Sequence, residues 1–144
     1  MVSIQYRLHH IVLDEKDCVA DSLRIAMLVV SSAVYLGYQL QPDARNALAH
    51  PLHEASERIE RSEIRMPCKL AFWLAMVWKS LVTPDVGQKW HGSYLRKAIQ
   101  ELSLTSWEEA QKILRSMIWI EYLQDHNGRY AFEEVLHQTS SVDN

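Results

Sequence analysis

Residues 89–134 read KWHGSYLRKAIQELSLTSWEEAQKILRSMIWIEYLQDHNGRYAFEE, and their spacing decides the fold class. Ser106-Trp107-Glu108-Glu109 has the order of a helix start. The Ser106 hydroxyl accepts from the Glu109 N–H, and the Glu109 carboxylate reaches back to the Ser106 N–H. Glu108 and Glu109 also sit where the helix dipole favours negative charge. Apolar residues then recur at Trp107, Ala110, Ile113, Leu114, Met117, Ile118 and Tyr122, which predicts one buried stripe. Asp125-His126-Asn127-Gly128 is expected to stop this helix, with Gly128 or Asn127 supplying a positive φ. The segment from Met117 to Ile120 is apolar on every side, so it is expected to be enclosed. Tyr130 to His137 reads as a last short helix, followed by a polar tail, 138–144, expected to be disordered.

The rest of the chain agrees with an all-α class. Only four Gly and four Pro occur in 144 residues, too few breakers for many short strands. Cys18 to Leu40 reads as a helix capped by Asp17, with Val19, Leu23, Ala26, Met27, Val30, Ala33, Val34 and Gly37 on its apolar face and Leu28, Val29 and Leu36 widening it. Ala44 to Ile64 is polar, with Leu48, Leu52, Ala55 and Ile59 as its inner face and Pro51 predicting a kink or two shorter helices. Leu70 to Trp78 is apolar throughout, which places the Cys68–Val82 helix in the middle of a bundle. Thr83-Pro84-Asp85 has the order of another helix start, leading to Val86, Trp90, Tyr94, Ala98 and Leu102 at four-residue spacing. The expectation is a single-domain bundle of five to six helices over 17–137, preceded by an arm at 1–16.

Charge and composition exclude several function classes. A net charge of −3 with pI near 6.1 argues against direct nucleic-acid binding, which requires a basic face. Basic residues between Arg58 and Lys69 alternate with Glu57, Glu60 and Glu63, the pattern of a solvated face. Ile25 to Leu36 is too short to span a bilayer, which needs roughly 20 apolar residues. Met1 to Leu13 has no apolar core of a signal peptide, and Cys18 and Cys68 read as unpaired thiols. A nuclear or cytoplasmic protein is the expectation.

Chemistry-bearing residues are sparse. His50 and His53 lie three apart beside Glu54, but Pro51 separates them and no third ligand follows, so no metal is expected. Ser31-Ser32 has no base partner, Cys68 is an isolated thiol at a helix start, and Glu108/Glu109 are accounted for by capping. His91, Tyr94, Cys68 and Asp85 form no recognisable catalytic constellation, and no cofactor is expected. Five Trp and six Tyr against two Phe are the informative excess. They are core anchors first, each on an apolar stripe. Trp73, Trp78, Trp90, Tyr94 and Trp119 are also the candidates to line a pocket for an apolar or aromatic small molecule, since bundles build such sites between facing helices.

The run S-W-E-E-x-x-K-I-L-x-x-x-I-W from Ser106 to Trp119, followed by F-E-E-V at Phe132–Val135, resembles the end of the fungal-specific regulatory domain of zinc binuclear cluster transcription factors. The resemblance extends back through Leu70-Ala71-Phe72-Trp73-Leu74 and Trp90 to the first helix, roughly residues 18 to 136. It implies a helical domain that responds to a metabolite effector, or that binds a protein partner or a second copy. The cysteine-rich cluster that would read DNA is absent from this sequence, so the domain is expected not to bind DNA itself. The alternative is a free-standing small-molecule-binding protein or enzyme of fungal secondary metabolism on the same scaffold.

Overall fold

A computed structural model describes residue 7 and residues 17–35, 42–62, 65–81 and 88–142. Among them are six helices and no strand: α1 Cys18–Tyr35, α2 Pro42–Arg61, α3 Cys68–Leu81, α4 Gln88–Glu101, α5 Trp107–Arg115 and α6 Glu121–Val142. The all-α expectation holds. The chain falls into two compact units, Met1–Met66 and Pro67–Asn144. Apart from Arg7, the arm at 1–16 lies outside the described residues, as do Leu36 to Leu40 and the helix start at Thr83-Pro84-Asp85.

In the first unit α1 packs on α2. Asp17 caps α1, its Oδ1 accepting from the Ala20 N–H at 3.0 Å. The buried face of α1 runs through Cys18, Ser22, Ile25, Ala26, Val29 and Ala33. The expected stripe is therefore rotated: Val19, Leu23, Met27 and Val34 sit at its margins, half-exposed. Small side chains explain the rotation. Ser22 and Ala26 carry little hydropathy signal, yet they are fully buried, as is Ala55 on α2. Asp21 joins the two helices, accepting from Arg24 on its own helix at 2.7 Å and from Arg58 on α2 at 2.6 Å. So Arg58 is not simply solvated. Pro51 does not divide α2, which is assigned as one helix from Pro42 to Arg61.

The second unit is built around α3, which packs on α4, α5 and α6. Its apolar run is buried continuously from Phe72 to Trp78. Phe132, fully buried on α6, joins three helices. Its ring meets Phe72 of α3 edge-on at 6.4 Å and Trp107 of α5 at 5.9 Å. Helix α4 ends in a Schellman corner, with Leu104 N–H on Ile99 O at 3.0 Å and Ser103 N–H on Gln100 O at 3.1 Å. Ser103 takes the left-handed position, φ 52°, which glycine usually fills.

The Ser106 cap is present, its Oγ accepting from Glu109 N–H at 3.3 Å. The return bond lands one residue earlier than expected. Glu109 Oε2 accepts from the Thr105 N–H at 2.9 Å and from its hydroxyl at 3.1 Å. These bonds hold the Glu109 carboxyl below its usual range against desolvation, with smaller help from the Ser106 backbone and Lys112.

The helix then stops ten residues earlier than the sequence suggests. Helix α5 ends at Arg115 with Ser116 as its C-cap, and α6 begins at Glu121 and runs straight through Asp125-His126-Asn127-Gly128. The last short helix is likewise replaced, and the tail is helical as far as the described residues go: α6 continues to Val142. Met117, Trp119 and Ile120 are half-buried and Ile118 is 47% exposed, so this segment is a corner rather than an enclosed turn of helix.

Candidate functional site

The α5–α6 corner gathers a connected set of side-chain hydrogen bonds in the second unit. It has no glycine or proline, and side chains satisfy its backbone instead. Trp73 on α3 donates its indole Nε1–H to Ile118 O at 2.7 Å. Gln124, fully buried, accepts from the Ile120 N–H at 2.9 Å and donates to Ser80 Oγ at 3.1 Å. Ser80 Oγ donates onward to Val77 O at 3.3 Å, and its carbonyl accepts from Asn127 Nδ2 at 3.3 Å. A buried amide with both ends paired fixes the start of α6 against α3.

Asp125 makes the second half of the corner. One carboxylate oxygen accepts from Trp119 Nε1 at 2.7 Å and the other from Gln111 Nε2 on α5 at 2.8 Å. The Trp119 ring thereby lies over Gly128. A Cβ at residue 128 would stand 3.0 Å from two Trp119 ring carbons and 3.3 Å from Met76 Cε. Gly128 is therefore a close-approach residue inside a helix, not a helix stop. Arg115 and Glu121 form an ion pair across the outside of the bend.

The five aromatic candidates distribute unevenly around this corner. Trp73 is buried and Trp119 half-buried, and both indole N–H groups are held by the corner itself. Trp78 is buried farther along α3, and Tyr94 is half-buried on α4. The Trp90 side chain lies outside the described residues. The fold thus brings Trp73 and Trp119 to one place, with their polar ends engaged by protein groups.

The remaining candidates are scattered. His50 faces Glu54 at 3.9 Å and His53 faces Glu57 at 3.3 Å along α2. Among the described residues no group of three or more His, Cys, Asp or Glu is placed to hold a metal. Cys68 Sγ donates to Glu101 Oε2 at 3.0 Å, tying the start of α3 to the end of α4. Cys18 is buried, and its thiol lies 3.8 Å from Ser62 Oγ. Neither thiol is in a disulfide. No described helix is long and apolar enough to cross a membrane.

One surface was not visible in the sequence. Tyr122, expected in the buried stripe, is 79% exposed, and Tyr130 is 71% exposed. With exposed His126 between them, they share one face of α6 at four-residue intervals. Counted as one helix from Trp107, Tyr122 stands at about 60° and Tyr130 at about 140°, turned away from the buried positions that cluster near 300°. No protein-family model, curated protein or solved structure matches the chain.

Proposed function

We propose that this chain is a helical regulatory domain, as its likeness to the fungal regulatory domain suggests, and that it works by binding another protein through the outward face of α6. The observation that carries this reading is the pair Tyr122 and Tyr130, largely exposed on one helix face with His126 between them. Tyrosine supplies a large ring and a hydroxyl at low entropic cost, and it is enriched where proteins meet. A helix presenting aromatic anchors at regular spacing fits a groove on a partner protein. The net charge of −3 supports action without direct DNA contact.

The test is a reporter assay with the chain tethered to a foreign DNA-binding domain. The expected result is a change in reporter output that disappears in the Tyr122→Ser/Tyr130→Ser variant while its melting temperature is kept. An unchanged output from that variant would remove the α6 face from the reading. A small molecule retained by the chain in native mass spectrometry, with no reporter effect, would favour the ligand-binding alternative.

A further inference from the structure

We propose that the α5–α6 corner is a two-state hinge: α5 and α6 can fuse into one helix, and the released α6 then docks on α3 and α4 of a second copy of this chain. Three observations carry this. First, residues 116–120 contain no helix breaker, and Ile118 is left 47% exposed by the bend. Local sequence thus permits the helix to continue through the corner.

Second, tertiary donors and acceptors hold the bend, and a straight helix would replace them one for one. The Ile118 carbonyl, now bonded to Trp73, would accept from the Tyr122 N–H. The Ile120 N–H, now bonded to Gln124, would donate to the Ser116 carbonyl. Neither backbone group is orphaned by the change.

Third, the two helices keep one phase. Counted as a single helix from Trp107, the buried positions Ala110, Leu114, Gln124, Gly128, Phe132 and Val135 fall within a sector of about 80°, with buried Ala131 just beside it and buried Leu123 outside it. A fused helix would therefore present one continuous inward stripe. Swinging α6 away uncovers Phe72, Trp107 and the inner side of α3, and a second α6 refills that surface with the same contacts except those of Trp73 and Gln124 to the corner backbone. Exchange between identical chains is the low-cost outcome of such a hinge.

The exchange is read by light scattering after size exclusion across a concentration series. Ser116→Ala/Ile118→Ala changes two exposed side chains and raises helix propensity at the corner. It should increase the dimer fraction several-fold, and so should Trp73→Phe, which deletes the donor to Ile118. Ile118→Pro, which bars the fused helix, should leave only monomer. Pulsed dipolar spectroscopy supplies the geometry, using spin labels at Glu108→Cys and Arg129→Cys with Cys18→Ala and Cys68→Ser, diluted with unlabelled chain.

In the folded unit Glu108 acts electrostatically on Arg129 across the bend. In a fused helix, twenty-one residues at 1.5 Å each separate them by about 30 Å. A dimer with the long intrachain distance is the expected result. A dimer that keeps the short distance, or a folded Ser116→Ala/Ile118→Ala chain that stays monomeric throughout, would overturn the proposal.

Discussion

Gln124 and Ser80 meet in the interior of the second unit, amide nitrogen to hydroxyl oxygen at 3.1 Å, while the same amide's oxygen holds the Ile120 N–H. Gln124→Leu keeps the volume but removes both functions and strands a backbone N–H. Such a buried group left without its partner costs about 1–3 kcal/mol. Urea unfolding of Gln124→Leu should show a loss in that range. Ser80→Ala added to it should cost less than Ser80→Ala alone, because the two residues share one network. Strict additivity would show that the network is not coupled.

Gly128→Ala pits helix propensity against space. Alanine gains about 1 kcal/mol over glycine in a helix interior. Here the new methyl would press on the Trp119 ring at 3.0 Å, and the bond to Asp125 keeps that ring from retreating. Overpacking of this kind costs about 1–3 kcal/mol, so the net expectation is a modest loss in melting temperature. In a Trp119→Leu background the same change should become stabilising. A gain in the native background would mean the ring yields freely.

Ser103→Gly should stabilise the protein. A left-handed backbone costs a residue with a side chain about 1–2 kcal/mol, and glycine's extra freedom in the unfolded chain takes back about 0.4–1 kcal/mol. The φ of 52° at Ser103 leaves a net gain of about 0.5–1 kcal/mol, readable as a rise in the urea midpoint with an unchanged slope.

Glu109 gives the second unit a pH dependence of known sign. Its carboxyl is lowered from the ordinary 4.5, chiefly by the Thr105 N–H and hydroxyl. A lowered folded value means that the contribution is present above the unfolded value and is lost as pH falls through the folded one. Acid unfolding below the ordinary 4.5 should therefore be shallower in Glu109→Gln than in the native chain. Equal slopes would show that the cap is not linked to protonation.

The helix class, the α3 core and the Ser106 cap could be read from the sequence because each rests on local pattern. Nine apolar residues in a row need no knowledge of neighbours to imply burial. The corner could not be read this way. Nothing between Ser116 and Ile120 breaks a helix, and the groups that do so, Trp73 and Gln124, act from another helix and from four residues ahead. Four-residue spacing from Ile118 put Tyr122 in the expected buried stripe, but Ile118 is itself 47% exposed. In α1, Ser22 went unnoticed because a small polar side chain packs closely without a hydropathy signal. Of the aromatic residues named as pocket candidates, Trp73 and Trp119 have their indole N–H groups on the protein's own carbonyl and carboxylate.

The two helix starts that flank the corner also differ in when they can form. Helix α5 carries its own initiation, since Thr105, Ser106 and Glu109 lie within five residues and need no partner from elsewhere. The start of α6 leans on Ser80, forty-four residues earlier, and its neighbouring carbonyl on Trp73, forty-five earlier. Contacts between residues so far apart must first meet the entropy of closing a long loop, whereas local ones form on the microsecond scale of helix growth. In the folding reaction α5 therefore belongs to the early, locally assembled part of the chain, and the corner sets only once α3 is in place. Perturbations at Glu109 should slow folding, and those at Gln124 should mainly hasten unfolding.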